Sequence, residues 1–231
     1  MQTIFLIRDV YFLVSFENLR KDAEILAYIK AADAVLDAIG FTEHGMAHAV
    51  KTGEDATYVL KTLGYDEHTC ELARVSGLLH DIGNTVNRWD HAQSGALLAS
   101  DLLRSRGCDF NDVIAVTTAI GHHDEKTAAP VTPVAAALIL ADKSDVRRTR
   151  VRCEDTVPND IHDRVNYAVI SSKLNVDKDN KMICLTLKID TALCPVMEYF
   201  EIFLERMVLC KKSAESLGCD FELIINDTRL L

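Results

Sequence analysis

The chain has 231 residues, of which 48% are hydrophobic, so it can bury a sizeable core in one or two domains. Its formal net charge of −10 argues against a nucleic-acid-binding surface, which is normally basic, and favours a small-molecule partner. Seven cysteines, none in a Cys-x-x-Cys pair, indicate neither a disulfide framework nor a zinc ribbon and predict a reducing, cytoplasmic location.

The first segment, MQTIFLIRDVYFLVSF, is apolar but is interrupted by Arg8 and Asp9. It lacks a basic region followed by an uninterrupted apolar stretch, and it is too short to span a bilayer. We therefore interpret it as a buried segment or as one that forms a homodimer. Peripheral contact with a membrane is the remaining alternative.

Apolar residues at helical spacing predict a series of helices after this segment. The first runs from Leu19 to Ile39, and the second runs from about His44 to Leu63 and ends at Gly64. Four more helical stretches follow, which are LARVSGLLHDIGN, HAQSGALLASDLL, NDVIAVTTAIGHH and PVAAALILADKSD. The pattern predicts a mainly α fold, with a helical bundle over residues 1–152.

Histidines and aspartates occur at or near the ends of these helices. They are His48, His80, Asp81, His91, His122, His123 and Asp142. Imidazole and carboxylate are ligands that hold Fe, Mn or Zn, and one aspartate with two oxygens can bridge two ions. Ligands on separate packed helices can converge on one point. The pattern therefore predicts a metallohydrolase.

In order, spacing and flanking apolar pattern, these residues resemble the HD-domain phosphohydrolases, named for their His-Asp pair, over roughly residues 40–150. The likeness is to the branch with a longer ligand set, which includes the HD-GYP cyclic-dinucleotide phosphodiesterases and the symmetrical dinucleoside tetraphosphatases. The segment after His123, DEKTAAPVTP, has no Gly-Tyr-Pro, which argues against cyclic di-GMP as the substrate.

The resemblance implies which residues bind each ion. His48, His80, Asp81 and Asp142 would hold one ion, whereas Asp81, His91 and either His122 or His123 would hold a second. A third ion is an open alternative, because related trinuclear sites carry a Glu where this chain has His44. Mn or Fe is the expected metal, with Mg, Co, Ni or Zn as alternatives.

Two divalent ions about 3.5–4 Å apart lower the pKa of a shared water and bind the oxygens of a phosphoryl group. The expected reaction is hydrolysis of a phosphoester or phosphoanhydride by a metal-bound hydroxide, with Asp81 as the bridging residue. The sequence shows no other nucleophile, since it has no G-x-S-x-G elbow and no P-loop. The expected substrate is a nucleotide or another small phosphorylated metabolite.

A dense basic cluster follows Asp142 and supplies candidate cations for the substrate phosphates. It consists of Lys143, Arg147, Arg148, Arg150 and Arg152. We choose Lys143 and Arg147 as the residues that act in catalysis. The alternative is a solvated helix end whose cations complement the helix dipole.

Beyond residue 152 the hydrophobic period changes from about 3.6 to two. DRVNYAVISSKLNV and MICLTLKID predict two strands, CPVMEYFEIFLERMVLCKKSAESLG a long helix, and DFELIIN a last strand. Residues 153–231 are thus expected to form a small α+β module of β-β-α-β order. It would act as a lid, a specificity element or a dimerisation surface.

A second pair, His162-Asp163, lacks an apolar helix before it and is interpreted as structural, with a place at the mouth of the active site as the alternative. Two functions other than hydrolysis stay open. The first is a di-iron oxygenase, because some relatives of the HD fold use the same ligand types for oxidation. The second is a catalytically inactive module that binds a nucleotide as a sensor.

Overall fold

The computed structural model describes residues 15–231, so residues 1–14 of the apolar N-terminal segment lie outside the described part. A helical bundle is followed by a small four-stranded sheet, which confirms the expected mainly α class with a C-terminal α+β module. The α-helices are α1 (Phe16–Leu19), α2 (Ala23–Ala38), α3 (Met46–Leu63), α4 (Glu67–Leu79), α5 (His91–Ser105), α6 (Phe110–Gly121), α7 (Pro133–Ser144), α8 (Ile161–Ala168) and α9 (Val196–Ser216). The strands are β1 (Val169–Asp177), β2 (Met182–Ile189), β3 (Asp220–Ile225) and β4 (Thr228–Arg229).

Capping side chains determine where several helices begin. Asp66 accepts a hydrogen bond from the backbone N–H of Thr69 at the start of α4, and Thr132 accepts one from Ala135 at the start of α7. Pro133 occupies the first turn of α7, where its missing N–H costs nothing. These signals determine where α4 and α7 start along the chain.

Helices α3 and α4 approach each other closely because glycines face each other at their contact. A Cβ at Gly77 in α4 would overlap the backbone of Gly53 in α3. Helix α7 packs against both helices and is buried along its whole length. This arrangement brings the start of α3 next to the ends of α4 and α7.

The C-terminal sheet has the strand order β1-β2-β3-β4. Strand β2 pairs antiparallel with β1 and parallel with β3, so α9 forms the crossover between β2 and β3. Helix α9 also packs against α7, and its Tyr199 and Phe203 belong to the same hydrophobic core as the bundle. The boundary predicted at residue 152 stays a prediction, although the core is continuous across it.

The structure corrects the sequence analysis at the start of the module. Residues 161–168 form α8, and the first strand begins only at Val169. Asp160 caps this helix, because its carboxylate accepts a hydrogen bond from the N–H of Asp163. None of the helices within residues 15–231 has the length and apolar character that crossing a lipid bilayer requires.

Candidate metal centre

His48 lies in the first turn of α3 and is fully buried. Its Nδ1 is 2.8 Å from Oδ2 of Asp145, the residue that follows α7. Burial raises the pKa of Asp145, but the hydrogen bond from His48 and the charge of Arg150 outweigh this effect and hold the pKa well below its usual range. The ionised carboxylate accepts the Nδ1 proton, so Nε2 carries the lone pair of the neutral ring. Nε2 lies 3.3 Å from Oδ1 of Asp142.

The His80-Asp81 pair lies where α4 ends. Nδ1 of His80 donates to the carbonyl of Gly77 at 2.8 Å, and its Nε2 lies 3.1 Å from Oδ2 of Asp81. The other carboxylate oxygen of Asp81, Oδ1, lies 3.5 Å from Nε2 of His91. Asp81 therefore presents one oxygen to each of two histidines on different helices.

His91 and His123 complete the cluster from α5 and from the end of α6. Nδ1 of His91 is 3.1 Å from the carbonyl of Arg88, and Nδ1 of His123 is 2.6 Å from the carbonyl of Ile120. The two Nε2 atoms are 3.2 Å apart. Both rings are almost completely buried.

The hydrogen bonds fix the orientation of all four rings. A carbonyl or ionised carboxylate can only accept, so each Nδ1 carries a proton, and each ring in its neutral form would present its Nε2 lone pair to the cluster. The Nε2 atoms of His48 and His80 are 3.2 Å apart, as are those of His91 and His123. Oδ2 of Asp81 is buried and has no hydrogen-bond partner. Lone pairs at this separation repel each other unless a cation lies among them, so the donor set fits bound metal ions.

The charges of the cluster point the same way. Burial lowers the pKa of His80, but the carboxylates of Asp81 and Asp142 outweigh it and raise the pKa to about 10. Burial and the neighbouring histidines hold the pKa of His123 well below its usual range. The carboxylates therefore attract positive charge, whether a proton on His80 or a metal ion, whereas the lowered pKa of His123 favours its neutral form. Two groups of donor atoms are compact enough to hold an ion, namely His48, His80 and Asp142, and His80, Asp81 and His123.

Comparison with known proteins gives a family for this arrangement. The model of the HD domain matches residues 45–147, which contain the ligand candidates of both expected ions but not His44. Residues 45–147 are therefore an HD domain, the domain that defines the HD-domain superfamily. Members of this superfamily are generally metal-dependent phosphohydrolases, and the His/Asp cluster fits metal binding.

Two relatives resemble parts of the chain. Ribonuclease Y of Opitutus terrae is 32% identical over 114 residues, which are 49% of this chain and 20% of that protein. An uncharacterised protein of Methanocaldococcus jannaschii is 24% identical over 159 residues, 59% of this chain and 61% of the relative. The matches thus span less than two thirds of the length of either relative.

Three further predicted site residues, His122, Lys143 and Arg147, lie next to the cluster but are not among its Nε2 and carboxylate donors. His122 directs Nδ1 to the carbonyl of Thr118 at 3.0 Å, whereas its neighbour His123 lies in the cluster. Nζ of Lys143 is 2.6 Å from Oδ2 of Asp142, and Nε of Arg147 is 2.8 Å from Oδ1 of Asp145. The catalytic roles of Lys143 and Arg147 stay predictions, and the structure shows each of them bound to a carboxylate of the site.

His44 and Arg150, which the sequence analysis also named, lie around the metal-ligand cluster. The ring of His44 is 5.4 Å from that of His48, and its Nδ1 is 2.6 Å from the carbonyl of Thr42. Of the remaining basic cluster, Arg150 is buried and donates to the carbonyls of Glu43 and Asp145. Its role is therefore to join the segment before α3 to the segment after α7.

Sequence reasoning missed several residues that surround the ligands in this HD domain. Asn84 donates its amide N–H to Oδ1 of Asp81 at 3.0 Å, and Asp145 orients His48. Asp124 places Oδ1 3.9 Å from Nε2 of His91. Both aspartates lie within three residues of a predicted ligand, and that proximity is the signal that could have marked them.

Two adjoining clefts open beside the HD cluster, and α9 of the C-terminal module forms part of both. The larger has a volume of about 320 Å³ and is lined by Phe41, Arg88, Trp89, Asp90, Asp124, Glu125, Lys126, Ile202, Glu205 and Arg206. The smaller has a volume of about 220 Å³, and its walls include His44, Arg150 and His162. Phe41, Arg88 and Arg206 line both clefts.

Proposed function

We propose that this protein hydrolyses a phosphoester or phosphoanhydride bond of a nucleotide or another small phosphorylated metabolite, using two divalent metal ions. The observation that carries the proposal is the set of four inward-facing Nε2 atoms around the two oxygens of Asp81. Mn and Fe suit this mixture of imidazole and carboxylate. Seven free cysteines support a reducing, cytoplasmic location for the protein.

The donor atoms divide into two groups. His48, His80 and Asp142, with Oδ2 of Asp81, would hold one ion, and Oδ1 of Asp81 with His91 and His123 would hold the second. When bound, such ions lower the pKa of a water molecule and neutralise the charge of the phosphoryl oxygens.

Neighbouring side chains position these donors. Asp145 holds the ring of His48, and Arg147 in turn holds Asp145. Lys143 keeps Asp142 in place and lowers its pKa against the effect of burial, so the carboxylate stays ionised. The carboxylate of Asp124 lines the larger cleft close to His91 and can accept or return a proton there.

The proposed role of the C-terminal module is substrate selection. Arg206 of α9 lines both clefts and places Nε 2.6 Å from Oε1 of Glu125, which also lies 3.3 Å from Nζ of Lys143. The module is therefore connected through charged groups to the ligand Asp142, and it encloses the space that a substrate would occupy.

The decisive test is metal content of protein purified without chelator under low oxygen, measured together with turnover of a generic phosphodiester and a panel of nucleotides in added Mn. About two ions per chain with phosphate or nucleotide release are expected. Two irons without hydrolysis would favour the oxygenase, and no bound metal would favour the sensor.

Adjacent histidines provide a matched control for this test. His123→Ala should lose one of the ions and most of the turnover, because it removes a donor from the second group. His122→Ala should retain both ions, because this ring faces the carbonyl of Thr118. Equal metal loss in both variants would contradict the assignment of the second group.

A further inference from the structure

Arg88 differs from the other basic residues around the metal centre. It is half-buried, with Nη1 3.3 Å from Oδ1 of Asn84 and 3.5 Å from Nε2 of His91, and it makes no salt bridge with any residue of the described chain. Four other cations around the metal centre each have a carboxylate partner. These cations are Lys143, Arg147, Arg150 and Arg206.

The Arg88 guanidinium lies over the ring of Phe41 and has no carboxylate partner in the described chain, so its place beside the metal centre favours an anion. Bound divalent ions would repel Arg88, and the repulsion is strong in a site that excludes water. A phosphate group lying between the ions and Arg88 would remove this repulsion, because its oxygens can contact both. Guanidinium groups bind phosphate through two parallel hydrogen bonds, so the residue type suits this role.

Trp89, the next residue along the chain, is also unusual. Its side chain is 69% exposed and lines the larger cleft together with Arg88. Nζ of Lys126 lies 3.5 Å from the centre of its ring, which keeps a second cation at this cleft. A flat aromatic ring that lines a cleft is a surface on which a base can stack.

We propose that Arg88 binds a phosphate group of the substrate and that Trp89 contacts a planar aromatic group attached to that phosphate. This inference rests on the proposed function and specifies its substrate class, an aromatic phosphoester such as a nucleotide. Phosphate at the junction of the two clefts places the aromatic group in the larger one, because Trp89 lines that cleft and not the smaller one.

Binding of inorganic phosphate and of phenyl phosphate to Mn-loaded protein, measured by calorimetry, tests the role of Arg88. Arg88→Gln should retain its metal content and bind both probes at least about tenfold more weakly, since a charged hydrogen-bond pair is lost. Arg88→Lys should recover part of the affinity, because the charge remains and the paired hydrogen bonds do not. Arg104→Gln, an exposed arginine at the other end of α5, is the control and should bind like the original protein.

Two results would overturn the role of Arg88. Unchanged phosphate affinity in Arg88→Gln would show that no anion contacts the guanidinium. Loss of metal in the same variant would show that Arg88 supports the metal centre and does not bind substrate.

The role of Trp89 is tested by the difference between the two probes. Trp89→Ala should weaken binding of phenyl phosphate by about tenfold and leave inorganic phosphate unaffected. Leu97→Ala, which removes another 69% exposed side chain, should affect neither probe. Equal affinity of the original protein and Trp89→Ala for phenyl phosphate would overturn this part of the proposal.

Failure of the proposed hydrolase function and failure of the roles of Arg88 and Trp89 would give different results. If the original protein holds no metal and hydrolyses no phosphoester, the proposed function is wrong. If it holds metal and hydrolyses nucleotides while Arg88→Gln and Trp89→Ala behave normally, only the substrate-binding assignment is wrong.

Discussion

The chain contains three His-Asp pairs, and His123-Asp124 lies in the cluster beside His91. The other two, His80-Asp81 and His162-Asp163, have surroundings that differ in every respect that matters for metal binding. His80-Asp81 follows the end of a buried helix and meets three further histidines and Asp142. His162-Asp163 lies in the first turn of the short helix α8, where His162 is exposed. Asp163 accepts a hydrogen bond from Thr156, so its carboxylate is already used. The dipeptide is therefore informative only when a buried helix end positions it among other donors.

The largest difference is expected when the aspartate of each of these two pairs is removed. Asp81→Ala should lose both ions and all turnover while its helical content is retained, because one residue supplies an oxygen to each group. Asp163→Ala should keep its metal. Metal analysis and circular dichroism of the two variants check this, and retention of either ion by Asp81→Ala would contradict the bridging role.

The second prediction tests the close contact between α3 and α4, which places His48 beside His80. Gly77→Ala should reduce the free energy of unfolding by about 2–3 kcal/mol, because the new Cβ overlaps the backbone of Gly53. Urea unfolding measures this loss. Gly121→Ala is the control, since its Cβ would make only an ordinary contact with Ala96, and a similar loss there would refute the explanation.

The cluster around His80-Asp81 is also supported by residues that are not themselves ligands, such as Asp145 behind His48. Asp145→Asn should lower metal affinity by about 10- to 100-fold, as loss of a carboxylate behind a ligating histidine typically does. Titration with Mn measures the affinity. Asp109→Asn, at the start of α6 and away from His123, removes the same charge and should leave affinity unchanged; equal losses would indicate a general charge effect.

The smallest effect is expected for stability at His162-Asp163. Asp163→Ala should reduce the free energy of unfolding by about 1 kcal/mol, because it removes one hydrogen bond to Thr156. His162→Ala should change neither stability nor metal content. A loss of metal in either variant would show that His162-Asp163 supports the metal centre, and the contrast with His80-Asp81 would then be wrong.

The sequence was most informative where a polar residue interrupts an apolar helix. Helices α4 and α7 are rich in apolar residues at helical spacing, so the places of His80 and Asp81 at the end of α4 and of Asp142 in the last turn of α7 could be predicted. The choice between His122 and His123 could not, because adjacent residues at a helix end point in different directions and the exact end of α6 decides between them.

Two other features were beyond the sequence for physical reasons. Only Val165-Asn166-Tyr167 within residues 161–168 alternates in polarity like a strand, and the Asp160 cap and the burial of Val165 and Ala168 stabilise a helix instead. Arg88 lies in the connection between α4 and α5, where no periodicity predicts side-chain direction. Its position became apparent only from its contacts with Asn84 and His91.

The row of ion pairs from Arg206 through Glu125 and Lys143 to Asp142 has a consequence for how such a protein can be recombined. The recognisable family segment ends at residue 147, but one end of this row is on α9. A chimera that joined the bundle to a foreign C-terminal part would leave Glu125 with one fewer cation and Asp142 in an altered field. The segment that matches the HD domain, residues 45–147, is therefore shorter than the segment that a chimera must keep together, which extends to Arg206.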